Sequence, residues 1–129
     1  MKVLKNTEIN EFIGQHEQIT LYGKLSLIRI LLRYLKRENL LQKIAAVSVQ
    51  HPKKRKIETI LDCPVYSIKK LAENYKELPI IIVNEKQEAL NASEAAALSQ
   101  GFTVCYTIDY NYIASLGANE HVDLYFLCV

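Results

Sequence analysis

The residues best placed to do chemistry lie in a short turn, from Gly23 to Ser26, between an apolar strand and an apolar helix. A helix that begins at such a turn presents unpaired backbone N–H groups and the positive end of its dipole, which together favour an anion. The Lys24 ammonium and the Ser26 hydroxyl add two donors suited to a phosphate. Nucleotide-binding turns usually follow the pattern G-x-G-x-x-G, but Leu25 and Ile28 occupy its second and third glycine positions. We therefore predict a degenerate phosphate site, with a plain strand-to-helix turn whose leucine fills the ligand space as the alternative.

A second polar pair, Asn84 and Glu85, follows Ile80–Val83, the most β-branched run in the chain and a predicted central strand. In open parallel sheets, ligands bind beyond the carboxyl ends of strands, at the point where the strand order reverses. Asn84 also has a structural interpretation, as an N-cap residue paired with Gln87 at the start of the next helix. The predicted binding residues, with a nucleotide or nucleotide-sugar as ligand, are Gly23, Lys24, Ser26, Asn84 and Glu85.

A basic run, Lys53-Lys54-Arg55, gives a different hypothesis. It follows a predicted strand at the position where NADP-binding domains place cations for the extra phosphate. The acidic residue that binds ribose hydroxyls in such domains is replaced here by Gln50 and His51. RNA, an anionic membrane or a nucleotide would suit the same basic run equally well. A charge run in a polar loop is usually just a solvated segment, and we favour that interpretation.

Three arginines, Arg29, Arg33 and Arg37, recur at a spacing of four along one predicted helix. They share the narrow polar sector of a helix that is apolar over more than half of its circumference. Like charges in this register repel one another mildly. We interpret the stripe as a solvated helix face. The alternative, suggested by the repulsion, is contact with an acidic partner such as Glu residues of a neighbouring subunit.

No pattern of residues indicates a catalytic or metal site, so we leave the cofactor unassigned. The sequence lacks paired carboxylates, Ser-His-Asp spacing and a C-x-x-C pair. Cys63, Cys105 and Cys128 are expected to be buried free thiols. A net charge of +2 argues against a dedicated nucleic-acid binder. No apolar run approaches the ~20 residues that span a bilayer, so we expect no membrane span and a cytoplasmic location.

The elements around these residues predict an α/β fold. With 129 residues, of which 50% are hydrophobic, the chain suits a single domain, 1–129, with a sizeable core. Strands alternate with helices, beginning with a short helix over residues 7–14, capped by Thr7 and ended by Gly14. This order predicts a Rossmann-like three-layer open parallel sheet of four or five strands with helices on both faces. A last strand over residues 122–128 is expected at a sheet edge or paired with another chain.

Several of these segments resemble a family of small domains in bacterial cell-surface polysaccharide enzymes. The resemblance covers roughly residues 18–107, and its motifs are apolar runs and turn residues. The matching segments are Leu21-Tyr22-Gly23, Leu31–Lys36, Leu61–Ser67 with Leu71, and Ile80–Val83. The family is the nucleotide-sugar-binding domain found at the front of sugar O-acyltransferases and fused to some glycosyltransferases. It implies a Rossmann-like domain that holds a nucleotide-sugar at its Gly-rich turn.

The departures from that family shape the expected function. The sequence contains no hexapeptide-repeat β-helix, the part of those acyltransferases that carries the catalytic histidine. We therefore expect an accessory, non-catalytic domain in surface-polysaccharide metabolism, associated as a homodimer or with a larger transferase. The alternatives are an NADP-dependent small-molecule enzyme and a purely structural interaction domain. For the latter, the tyrosine-rich segment 106–112 would supply the contact surface.

Overall fold

Five parallel strands form the main sheet in a computed structural model that describes residues 1–50 and 57–117. The order across the sheet is β1-β7-β6-β2-β3, and a separate antiparallel hairpin is formed by β4 and β5. In chain order the strands are β1 (Lys2–Leu4), β2 (Ile19–Gly23), β3 (Ile44–Val49), β4 (Thr59–Ile60), β5 (Cys63–Pro64), β6 (Ile80–Val83) and β7 (Cys105–Ile108).

Helices cover both faces of this sheet. The α-helices are α1 (Ile9–Gln15), α2 (Leu25–Arg37), α3 (Ile68–Tyr75), α4 (Gln87–Ser99) and α5 (110–117). Short 3₁₀ turns at Asn6–Glu8 and Leu41–Lys43 precede α1 and β3. Core residues of α1, α2 and α5 pack on one face, and those of α3 and α4 pack on the other. The predicted Rossmann-like three-layer α/β fold is confirmed.

The order of the strands places a topological switch point between β2 and β6. Strand β2 pairs in parallel with β3 on one side and with β6 on the other. The chain passes from β2 to β3, then crosses back to β6 and continues outward to β7. The carboxyl ends of β2 and β6 therefore form the crevice where open α/β sheets bind ligands.

The two faces of the sheet carry different cores. The face under α1 and α2 is built from large aliphatic side chains, and Leu21, Ile28 and Leu32 are completely buried there. On the other face, Ala46, Ala72 and other small residues leave room for α3 and α4 to approach. As predicted, Arg29, Arg33 and Arg37 lie on the exposed side of α2.

The first 15 residues differ from the prediction. Strand β1 was not expected, because its three residues contain only one buried apolar side chain, Leu4. It adds an edge strand beside β7. The helix predicted to begin at Thr7 begins at Ile9 after a 3₁₀ turn, and Gly14 lies inside it rather than ending it.

Other local predictions are confirmed. The Ser67 hydroxyl caps α3 by accepting a hydrogen bond from the Lys70 N–H at 3.2 Å. Gly101 follows α4 with a φ of 110°, the left-handed conformation that ends helices. Cys63 and Cys105 are buried free thiols, and burial is the main cause that raises the pKa of both. Cys128 and the predicted strand 122–128 lie outside the described residues.

The β4–β5 hairpin has an unusual turn. Its two central residues, Leu61 and Asp62, both have positive φ angles, of 47° and 67°. A two-residue turn with both φ angles positive is usually formed by Asn-Gly, because a Cβ atom crowds the backbone in this region. The hairpin lies next to β3, where the Tyr66 N–H donates to the Val47 carbonyl at 2.9 Å.

Candidate ligand site at the carboxyl edge of the sheet

The fold brings four of the five predicted binding residues to the switch point. Gly23 ends β2 and Lys24 follows it, while Asn84 and Glu85 follow β6, the direct neighbour of β2. Ser26 is the second residue of α2, where its side chain is exposed and makes no hydrogen bond with the part of the chain that the structure describes. The predicted binding residues thus lie close together, but their contacts with one another indicate structural roles.

Gly23 is required by strand packing. Its φ is 149°, and a Cβ atom added there would lie 1.9 Å from the Val83 carbonyl oxygen. The Lys24 N–H donates to that same carbonyl at 3.0 Å, and the Gly23 carbonyl accepts from the Gln50 N–H at 2.8 Å. Three adjacent strand ends are therefore joined through this glycine. Close contact between β2 and β6 explains the glycine without a phosphate.

Lys24 and Glu85 form an ion pair across the switch point. The Lys24 Nζ lies 2.7 Å from a Glu85 carboxylate oxygen, and both side chains are about half exposed. The hydrogen bond from Lys24, followed by its charge, lowers the pKa of Glu85, and the same contact raises the pKa of Lys24. The Tyr110 hydroxyl adds a smaller effect that also lowers the pKa of Glu85. The cation predicted to hold a phosphate is thus neutralised by a carboxylate.

Asn84 is the centre of a buried polar network. Its side chain is 5% exposed, and its Nδ2 donates to Gln50 Oε1 at 2.7 Å and to Ser93 Oγ at 2.9 Å. The Ser93 hydroxyl donates in turn to the Ala89 carbonyl at 2.8 Å. The predicted capping role of Asn84 is wrong, because α4 begins after Lys86 as its N-cap residue. The amide instead ties the ends of β6 and β3 to the middle of α4.

Leu25 and Ile28, at the second and third glycine positions of the motif, both pack against the core. Ile28 is completely buried in the core between α2 and the sheet, and the half-buried Leu25 packs against the same cluster. They occupy the glycine positions of the motif because α2 packs on the sheet through larger side chains.

Two contributors to this region were not predicted. Ser93 lies within an alanine-rich helix, nine residues after Asn84, and no local pattern links the two. Tyr110 belongs to the tyrosine-rich segment noted for association. The tyrosines of that segment are half-buried against the core, and the Tyr106 ring lies 4.5 Å from that of Phe12. The signal available in the sequence was only that aromatic residues follow a strand end.

The remaining predictions concern features away from the switch point. Lys53, Lys54 and Arg55, with His51, lie outside the described residues. Among residues 1–50 and 57–117, no three His, Cys, Asp or Glu side chains are grouped as metal ligands would be. None of the helices in these two ranges has both the length and the apolar character needed to cross a bilayer.

Comparison of the chain with protein-family models, with curated proteins and with solved structures gives no significant match.

Proposed function

We propose that this chain is an accessory, non-catalytic Rossmann-like domain whose nucleotide or nucleotide-sugar site is degenerate. The ion pair between Lys24 and Glu85 is the observation that carries this proposal. The pair lies at the switch point, and each of its charges is neutralised by the other. A nucleotide diphosphate would have to displace the carboxylate from the ammonium before it could bind there. The same carboxylate would repel the incoming phosphate.

The backbone around this pair supports the same interpretation. In a working Gly-rich turn, backbone N–H groups point at the phosphates and glycines allow their close approach. Here the Lys24 N–H donates a hydrogen bond to the Val83 carbonyl, and Gly23 allows the close contact between β2 and β6. The turn therefore offers fewer free donors than the motif it resembles.

The biological context of the proposal is surface-polysaccharide metabolism, as a partner of a glycosyltransferase or acyltransferase. The support for this context is the resemblance of segments such as Leu21-Tyr22-Gly23 and Ile80–Val83 to the family named above. In this setting the domain associates with itself or with a larger transferase in the cytoplasm.

Thermal unfolding with a ligand panel tests the proposal. The panel comprises UDP-, GDP- and CDP-sugars, NAD(H) and NADP(H), applied to the wild-type chain and to Glu85→Gln. We expect no shift in the wild type. We expect a gain in Glu85→Gln with nucleotide-sugars, because the substitution releases Lys24. A ligand at ~100 times its Kd adds about 2.7 kcal/mol, equivalent to several degrees.

Two controls make the result specific. Glu88→Gln removes the same charge from an exposed position in the first turn of α4 and should leave binding unchanged. Adding Lys24→Ala to Glu85→Gln should abolish the gain. Tight binding of NADPH by the wild type would favour an NADP-dependent enzyme. A stable dimer in which even Glu85→Gln ignores every nucleotide would favour a structural interaction domain, and either result contradicts the proposal.

A further inference from the structure

The exposed side of α4 is uncharged over its last two turns. The residues that face outward there are Ala92, Ala95, Leu98 and Ser99. Residues at this spacing share one side of a helix, and the opposite side, which includes Ala97, is buried against the sheet. A helix at a protein surface usually carries charged residues on its outer side, as α2 does with its arginines. The outer side of α4 therefore has the composition of a contact surface.

Exposed apolar side chains are concentrated at this surface. Leu98 is 48% exposed, and it is one of four large hydrophobic residues that lie open to solvent in the described ranges. Met1, another of the four, has its ammonium group 3.0 Å from a carboxylate oxygen of Glu94, one helical turn before Leu98. Val3, a third, precedes Leu4, which packs with α1 and α2, so Val3 points to the side of the sheet that carries α4. Exposed apolar residues grouped in this way mark a protein–protein contact.

From these observations we infer that two copies of this chain associate through the exposed side of α4, with the two helices antiparallel about a two-fold axis at Ala95. In such a dimer both chains use the same surface, so each contact forms twice. The small Ala95 side chain lets the helices approach closely, and Leu98 of each chain packs against the other helix. The inference specifies the self-association named in the proposed function and rests on it in that respect, but none of these residues belongs to the switch point.

The charges at the two ends of α4 favour a second copy as the occupant. Glu88 precedes Ala95 by seven residues, almost two full turns, so the two lie on one side of the helix about 10 Å apart. At the other end Lys76 lies beside Gly101, since a Cβ atom added at Gly101 would be 3.4 Å from the Lys76 Cδ. Gly101 follows Ala95 by six residues, at a similar distance on the opposite side. The two-fold axis therefore brings Glu88 of one chain next to the partner's Lys76.

Both of these charges are available for the contact. The Glu88 and Lys76 side chains are exposed, and neither forms an ion pair within residues 1–50 and 57–117. In the dimer the pair forms at both ends of an uncharged centre, as a polar rim surrounds the apolar core of other interfaces. A partner of a single charge sign would match only one of these two ends. A second copy of the chain matches both.

Sedimentation velocity of the full chain over a wide range of concentrations tests this inference. We expect a monomer–dimer equilibrium in the wild type. Ala95→Arg should abolish the dimer, because two guanidinium groups would meet at the two-fold axis without an opposite charge. Glu88→Lys and Lys76→Glu should each raise the Kd of the dimer by about tenfold or more, since each creates two pairs of like charges. The double variant exchanges the charges and should return the Kd to within about threefold of the wild type.

A charge reversal away from this surface provides the matched control. Glu11→Lys changes an exposed residue of α1, on the opposite face of the sheet, and should change the Kd by less than about twofold. Circular dichroism of each variant checks that it is folded. If Ala95→Arg does not fold, the charge exchange alone decides.

Three results would overturn the inference. A wild-type chain that stays monomeric would assign this surface to a different protein. A dimer that persists in Ala95→Arg would place the interface elsewhere. A double variant that stays as weak as the single variants would exclude the contact between Glu88 and Lys76, and with it the antiparallel arrangement. No nucleotide is used in these measurements, so their failure is distinguishable from a failure of the proposal for the switch point.

Discussion

The switch point and the β4–β5 hairpin differ in how well their residues suit the fold. At the switch point each polar side chain that ends a strand is matched by an opposite or complementary group. Lys24 contacts Glu85, and Asn84 contacts Gln50 and Ser93. At the hairpin, by contrast, Leu61 and Asp62 hold positive φ angles of 47° and 67°, which residues with a Cβ atom avoid.

This difference indicates which polar residues stabilise the fold instead of binding a ligand. Complementary groups at the strand ends stabilise the sheet and its contact with α4. They leave little that a ligand could gain by binding. The hairpin turn has the opposite effect, because the positive φ angles of Leu61 and Asp62 cost free energy that the rest of the structure must offset. The position where α/β sheets usually bind ligands is therefore the more structural of the two regions.

The largest expected effect is that of Gly23→Ala at the switch point. The new Cβ atom would lie 1.9 Å from the Val83 oxygen in a backbone conformation that alanine avoids. We expect the free energy of unfolding to fall by about 3 kcal/mol or more, measured by denaturant unfolding. Gly14→Ala is the control, since its Cβ atom would have no neighbour closer than 3.9 Å inside α1, and should stabilise by about 0.5 kcal/mol. Similar values for the two variants would contradict the packing role of Gly23.

The next effect concerns the buried amide. Asn84→Leu removes two hydrogen bonds and leaves the Ser93 hydroxyl without its donor. We expect a loss of about 2 kcal/mol in the free energy of unfolding. Asn91→Leu changes an exposed amide on α4 and should stay within about 0.5 kcal/mol of the wild type. A loss no greater than that of Asn91→Leu would show that the network does not stabilise the fold.

In the hairpin the expected change has the opposite sign. Asp62→Gly should stabilise the chain by about 1 kcal/mol, because glycine adopts a φ of 67° without steric cost. Asp62→Ala keeps the Cβ atom and should bring no such gain. Denaturant unfolding of both variants would sharpen the comparison, since relief of strain at this turn must not depend on charge. An equal gain in both variants would attribute the effect to the lost carboxylate.

The smallest expected effect is the pH dependence of the Lys24–Glu85 pair. Contact with Lys24 lowers the pKa of Glu85 in the folded chain, so the pair stabilises the fold above the unfolded-state pKa of about 4.3. This contribution is lost as the pH falls through the lowered folded-state value. An NMR titration should find the pKa of Glu85 below its usual value in the wild type and higher in Lys24→Met. An unchanged pKa in the variant would mean that the two side chains do not interact in solution.

The sequence predicted those features that depend on neighbouring residues and missed those that depend on residues far apart in the chain. The bounds of α2 and β3 were readable because hydrophobic periodicity and β-branched runs are local patterns. Asn84 was misassigned because a polar residue after a strand gives the same local signal whether it caps a helix or ties two strands together. Its partners, Gln50 and Ser93, are 34 and 9 residues away, and nothing in the sequence joins them to it.

The sequence by itself determined the α/β alternation, the burial of most of α2 and the exposure of its arginines. These follow from which residue types recur at strand and helix spacing. Only the tertiary structure decided that Lys24 meets Glu85, 61 residues later, and that Gly23 touches Val83. Such contacts depend on strand order and register, which arise from the packing of the whole sheet. The local sequence of these residues therefore predicts a phosphate site. In the folded chain β2 and β6 are neighbours, and the same residues pair with one another.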